Sequence, residues 1–385
     1  MPPLNLLIKP ASGSCNMRCR YCFYTDEAAC RAEASKGMMS ADTMEMLVQR
    51  ALDYADGACT FTFQGGEPTL AGLEFFRALS ACVSAHPKAK ELRIGYTFQT
   101  NGLVIDEAWA RWFAESRVLV GVSLDGPKDI HDRNRVDAAG KGTFTRVMRA
   151  IDLLDKHGVD YNILTVVSAA NARRGRQVYD FFKKQDFRYQ QYIECLDPLG
   201  EAPGGHEYSL TPEKYEAFLM AMFDAWYQDM KAGRYVNNRY FENLMMIMTG
   251  QRPESCAMQG VCSAQWVIEA DGSVYPCDFY ALDEWYLGNI HTHSFAQLEQ
   301  QRQKSGFVQQ SCAVPDECKA CPVWALCRNG CRRNRTGEDG RNYFCAAYRG
   351  FLEYAIPRLQ ETVQLLRVYA RTGKFPSGGD KSEML

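Results

Sequence analysis

The chain has 385 residues, with 44 Lys and Arg against 46 Asp and Glu, for a formal net charge of −2. That balance offers no global attraction to nucleic acid or an anionic membrane, and no stretch is long and apolar enough to span a bilayer. The opening MPPLNLLIKP carries no secretory pattern, so sixteen cysteines point to metal binding in a cytoplasmic protein rather than to disulfides.

In chain order, the first predicted strand, Leu4–Lys9, runs into Cys15-Asn-Met-Arg-Cys19-Arg-Tyr-Cys22. Three thiolates at this spacing can grip three irons of a four-iron cluster. Such clusters usually take four Cys ligands, so a triad leaves one iron open. The alternative is a zinc knuckle with Cys30 as fourth ligand.

Further strands are predicted at Cys59–Gln64, Leu92–Gln99, Val118–Leu124, Asp160–Val167 and Arg188–Cys195. Helical spacing is found over Ser40–Ala55, Leu73–Ala85, Glu107–Glu115, Phe144–Lys156 and Arg174–Gln185. Ser40 is placed as an N-cap and Gly158 as a stop. Six β/α units imply an α/β fold with a parallel sheet and right-handed crossovers. Turn sequences at the strand exits, Gln64-Gly65-Gly66-Glu67-Pro68, Gln99-Thr100-Asn101-Gly102 and Ser123-Leu124-Asp125-Gly126-Pro127, fall on the edge that carries the Cys triad, where α/β proteins place ligands. The paired glycines of the first would let backbone approach a ligand closely.

Gly200–Tyr208 reads as a loop, and Thr211-Pro-Glu-Lys starts a helix whose Tyr215, Phe218, Leu219, Met222, Phe223 and Trp226 are core. The region from Arg252 to Tyr348 is rich in cysteine: Cys256, Cys262, Cys277, Cys318, Cys321, Cys327, Cys331 and Cys345, with Cys312 set aside, suffice for two four-Cys sites. Zinc is again the alternative metal. Asp271-Gly272 would close a hairpin there. Asp278, next to Cys277, could take a proton from a substrate or buttress the loop. Cys59 and Cys195 read as small buried hydrophobes. The tail Ser377–Leu385 reads as disordered.

Together these motifs resemble the radical S-adenosylmethionine (SAM) enzymes. The Cys15/Cys19/Cys22 loop is similar to their cluster loop, and Gly65-Gly66-Glu67 to the motif that contacts the SAM amino group. The resemblance implies a partial (β/α)6 barrel over residues 1–235. It also implies SAM contacts from Tyr21, Gly66, Ser123, Arg135 and Leu196. The C-terminal cysteines resemble a SPASM domain, expected over residues 236–370 and followed by a flexible tail at 371–385. By that match Cys256, Cys262, Cys277 and Cys331 hold one auxiliary cluster, and Cys318, Cys321, Cys327 and Cys345 hold a second, giving three 4Fe-4S clusters in all.

Within this superfamily, Leu6-Leu-Ile-Lys-Pro-Ala-Ser, Phe63-Gln-Gly-Gly-Glu-Pro-Thr-Leu, Cys195-Leu-Asp-Pro-Leu199, Tyr275-Pro-Cys-Asp-Phe-Tyr280 and Gly330-Cys-Arg-Arg333 look like anaerobic sulfatase-maturating enzymes. That likeness implies that a deoxyadenosyl radical removes hydrogen from the β-carbon of a Cys or Ser in an unfolded sulfatase segment. Asp278 then takes the thiol or hydroxyl proton, the auxiliary clusters accept the second electron, and the product becomes Cα-formylglycine. Gln64, Tyr24 and Asn101 are expected to orient the peptide, and a flavodoxin- or ferredoxin-type donor to supply electrons to a monomeric enzyme. The alternative within the superfamily is an enzyme that cross-links or epimerises a ribosomal peptide. Such enzymes often carry an N-terminal recognition module, and here about fourteen residues precede Cys15.

Overall fold

Apolar alternation builds the first strand: Leu4, Leu6 and Ile8 turn inward while the intervening residues do not. The computed structural model describes residues 3–263 and 265–373, so the predicted tail Ser377–Leu385 lies outside the described residues. Its strands are β1 (Leu4–Ile8), β2 (Ala58–Phe63), β3 (Arg93–Thr100), β4 (Leu119–Ser123), β5 (Tyr161–Val167), β6 (Tyr189–Glu194), β7 (Asn237–Asn238), β8 (Trp266–Ile268), β9 (Ser273–Tyr275) and β10 (Gly288–Asn289). The first six lie within one residue of the spans read from the sequence.

Helices Leu73–Ala85, Glu107–Glu115 and Phe144–Lys156 form where their apolar spacing predicts, and Ser40 caps Ala41–Tyr54 by accepting the Thr43 N–H at 3.1 Å. Sequence reading missed Phe23–Ala29 and Lys128–Asn134. Both have seven residues, too short to show an apolar stripe.

Two compact units alternate along the chain: Met1–Ser123, Arg135–Tyr161 and Ser263–Gln310 form one, and Leu124–Asn134, Asn162–Cys262 and Ser311–Leu385 the other. In the first unit the strand order is β10-β9-β8-β1-β2-β3-β4. β1 to β4 are parallel, β8 joins β1 in parallel, and β9 and β10 run antiparallel. The predicted Asp271-Gly272 turn does close β8 onto β9: Gly272 has φ +82° and Asp271 accepts the Ser273 N–H at 2.9 Å. Because β8 docks on β1, the segment after β9 arrives beside the end of β1. Phe63, Phe76, Phe98, Trp109 and Phe113 fill this unit's core, with ring centroids 5.0 to 5.8 Å apart.

In the second unit β5, β6 and β7 are parallel. Helix Pro212–Lys231 buries the predicted apolar face and packs on Cys345–Thr372, a 28-residue helix. Phe223, Trp226, Phe241 and Phe351 interlock there. Among the described residues no helix is long and apolar enough to cross a membrane.

Candidate active site

The loop carrying Cys15, Cys19 and Cys22 is held from three sides. Gly66 N–H bonds to Ser12 O at 2.9 Å and Glu67 N–H to Ser14 O at 2.8 Å. A Cβ on Gly66 would lie 2.1 Å from Ser14 O, so only glycine fits against this backbone. The glycine pair therefore serves first to let one chain segment approach another. On a second side, Arg18 N–H bonds to Val136 O at 2.7 Å, and Met17 bridges Asp137. On the third, Asn101 Nδ2 donates to Asn16 Oδ1 at 2.7 Å and to Cys15 Sγ at 3.6 Å.

Behind Asn101 stands Glu67, whose carboxylate accepts from Thr69 N and Oγ1, Thr100 Oγ1 and Asn101 N at 2.7 to 3.1 Å. Burial pushes the Glu67 pKa up, although these donors oppose the shift. The glutamate of the Gly-Gly-Glu motif is thus a structural knot. Asn101, expected to orient a peptide, sits beneath the Cys loop.

Three thiols, with Met17 N–H and Asn101 Nδ2 aimed at Cys15 Sγ, suit an iron–sulfur core that prefers thiolate. Burial, opposed by the Met17 N–H and Asn101 and reinforced by Glu67 and Cys22, pushes the Cys15 thiol up to about 11, a penalty that coordination to iron would reverse. Cys30, the candidate fourth ligand, is exposed and lies 4.0 Å from Asp26 Oδ1.

Of the residues expected around SAM, Tyr21 is buried between two of the cysteines, with the Arg135 guanidinium 5.5 Å from its ring centroid. Ser123 ends β4 and accepts from Gln99 Nε2 at 3.2 Å. Leu196 follows β6 in the second unit.

Cys277 lies in the first unit, while the other seven candidate auxiliary ligands lie in the second. There the thiols fall into two groups of mutual neighbours. Burial pushes Cys331 up to about 12, with Cys256 and Cys262 adding to the shift. Burial likewise pushes Cys327 up to about 11, with Cys345, Cys318 and Cys321 adding. Cys345 opens the 28-residue helix, where the helix dipole favours a thiolate. Cys59 and Cys195 are buried, as small hydrophobes should be.

The second part of the site centres on Asp278, in a short turn after β9. Helix Phe23–Ala29 starts directly after Cys22 and packs on this turn, with the Phe23 and Phe279 rings 4.9 Å apart. Tyr24 Oη donates to Asp278 Oδ2 at 2.6 Å, and Gln64 Nε2 donates to the same oxygen at 3.0 Å. Lys9 Nζ lies 3.0 Å from Asp278 Oδ1, yet that oxygen accepts no hydrogen bond among the described residues.

Lys9 also meets Glu27 at 3.2 Å and Glu269 at 3.7 Å, and Arg31 pairs with Glu269 at 2.7 Å. Burial opposes the Lys9 charge, but Asp278, Glu27 and Glu269 outweigh it and raise its pKa. Burial, then Asp278, pushes the Tyr24 hydroxyl well above its ordinary value, keeping it a donor. Sequence reading missed Lys9, Glu27, Arg31 and Glu269. The one signal was the spacing of Tyr24 and Glu27, which puts them on one face of helix Phe23–Ala29, with Arg31 just past its end.

Residues 10–181 match the Radical SAM superfamily, and residues 256–322 match the SPASM iron-sulfur cluster-binding domain. With the six β/α repeats and the thiol sets, these matches define a radical SAM enzyme with a SPASM domain. The cysteine-type anaerobic sulfatase-maturating enzyme of Clostridium perfringens (strain 13 / Type A) is 47% identical over 363 residues, covering 93% of this chain and 98% of that protein. The serine-type enzyme of Bacteroides thetaiotaomicron is 30% identical over 376 residues, covering 92% and 90%.

The solved structure of native anSMEcpe with bound AdoMet and Cp18Cys peptide superposes with a TM-score of 0.89 at 46% identity, covering 95% of this chain and 100% of that one. Streptococcus suis SuiB bound to S-adenosylmethionine shares the fold alone, with a TM-score of 0.60 at 15% identity. The chain belongs to the anaerobic sulfatase-maturating enzymes, and SAM and iron–sulfur clusters are its cofactors.

Proposed function

We propose that this enzyme oxidises a cysteine in an unfolded sulfatase segment to Cα-formylglycine, with Asp278 as the catalytic proton acceptor. The observation that carries this reading is the Asp278 carboxylate. Tyr24 and Gln64 saturate one oxygen, while the other faces Lys9 and accepts no hydrogen bond among the described residues. A carboxylate so held is fixed in orientation, with a lone pair left for a substrate thiol.

Bound SAM and three 4Fe-4S clusters supply radical generation and electron storage. Cys15, Cys19 and Cys22 hold the site-open cluster, and the two auxiliary ligand sets are those the resemblance implies. Tyr21, Gly66, Ser123, Arg135 and Leu196 contact SAM. Tyr24 and Gln64 orient Asp278, and through it the target side chain. Asn101 steadies the Cys loop.

Preference for cysteine over serine is supported by 47% identity to the cysteine-type relative against 30% to the serine-type. Sixteen cysteines without a disulfide pattern suit a reducing compartment such as the cytoplasm. There a flavodoxin- or ferredoxin-type protein would feed electrons to the single chain.

Mass spectrometry of a sulfatase-derived peptide after anaerobic turnover tests the reading. The cysteine peptide should lose sulfur and gain an aldehyde, faster than its serine counterpart. Asp278→Asn should slow aldehyde formation by at least about 100-fold, within the range for a removed general base. Normal turnover by that variant, or a cross-linked product from the native enzyme, would overturn it.

A further inference from the structure

Behind Asp278 lies a charged cluster that the reaction itself does not use. Lys9, Glu27 and Glu269 are 1%, 2% and 0% exposed, and Asp278 is 5% exposed. Side chains of this kind are almost never so buried without a task or a partner. Within the cluster, the two oxygens of Glu27 have different duties. Oε2 accepts from Lys9 Nζ at 3.2 Å, and that same ammonium stands 3.0 Å from Asp278 Oδ1. Oε1 accepts the Ala281 N–H at 2.8 Å, the backbone group that closes the Asp278–Tyr280 turn, and pairs with Arg31 Nη2 at 3.2 Å.

One carboxylate therefore holds the turn on which Asp278 rides and the cation that faces its reactive oxygen. Glu269 has no hold on the turn: it meets Lys9 at 3.7 Å and otherwise pairs with Arg31 at 2.7 Å and with the Ser12 side chain.

We infer that Glu27 is a positioning residue that sets the orientation of Asp278 through Lys9 and through the Ala281 backbone. It touches neither substrate nor cofactor. Its helix begins directly after Cys22, so the element that follows the cluster loop also aligns the proton acceptor. Arg31, one turn beyond Glu27, keeps the carboxylate turned inward. The inference rests on Asp278 being the proton acceptor.

Glu27→Gln in the reconstituted holoenzyme is the test, because it keeps the volume and removes the charge. We expect kcat for aldehyde formation to fall at least about tenfold, with KM for the peptide within about twofold, and more 5′-deoxyadenosine released per aldehyde formed. Glu269→Gln removes an equally buried charge from the same cluster and should lower kcat by less than about threefold. In a Lys9→Met background, Glu27→Gln should add much less than it does alone, since the two act in series.

Unchanged kcat and coupling in Glu27→Gln would overturn the inference. So would equal losses in Glu27→Gln and Glu269→Gln, or a full independent loss on top of Lys9→Met. If Lys9→Met fails to fold, the two glutamine variants still decide. Asp278→Asn separates the levels: its normal turnover sinks the proton-acceptor reading, whereas its failure beside an intact Glu27→Gln sinks only this inference.

Discussion

The N-terminal cysteine loop and the cysteine groups of the second unit offer the same ligand chemistry for opposite ends. At the first, three thiols stand on a loop clamped by Gly65–Glu67, Asn101 and Val136–Asp137. In the second unit, Cys318, Cys321 and Cys345 add to the burial-driven rise of the Cys327 thiol, and the resemblance groups these four as one ligand set. A triad leaves a coordination position for a small molecule, whereas a quartet closes the cage and leaves only electron transfer. The number of sulfurs, more than their kind, separates bond-breaking from electron storage.

The sharpest way to break this comparison is to delete each set in turn. Replacing Cys15, Cys19 and Cys22 with Ala should abolish SAM cleavage and remove about four of about twelve irons. Replacing Cys318 and Cys321 should remove a similar amount of iron yet spare SAM cleavage, with loss confined to peptide oxidation. Iron analysis and chromatography of 5′-deoxyadenosine check both, and loss of SAM cleavage in the second variant would erase the distinction.

A smaller effect is expected at the clamp. In Gly66→Ala the added carbon meets Ser14 O at 2.1 Å and Ser14 C at 2.5 Å, so the Cys loop must shift. SAM affinity should weaken by about tenfold or more, equivalent to about 1.4 kcal/mol, as measured by anaerobic titration. Unaltered binding would mean the loop has room that the contact distances deny.

The smallest effect concerns the second unit apart from its clusters. Burial, opposed by the Tyr235 hydroxyl and reinforced by Glu254, pushes Glu242 up to about 7. A carboxyl raised on folding favours the protonated form. Its contribution is present below the unfolded value and lost as pH rises through about 7. Between about pH 5 and about pH 8 the native Tm should therefore fall more than that of Glu242→Gln. Parallel thermal curves would show that Glu242 ionises without penalty.

Sequence legibility differed between the two halves of the site. The cysteines could be read because their spacings are local, and Asp278 because it adjoins one of them. Lys9, Glu27 and Glu269 could not. A charged residue at a strand end or on a short helix ordinarily faces water, and nothing within a few residues of each marks it as buried. Tyr24 and Asp278 are 254 residues apart, a separation no spacing rule spans.

By itself the amino-acid sequence determined the six β/α repeats, the N-terminal cysteine triad, the thiol-rich C-terminal region and the candidate base. Periodicity and ligand spacing are properties of neighbouring residues. Only the tertiary structure decided that β8 lies beside β1. That pairing brings Glu269 and Asp278 against Lys9, and lets the helix after Cys22 grip the Asp278 turn through Glu27. Charges buried together hold one another because water is excluded, a condition that exists only once the distant strands have met.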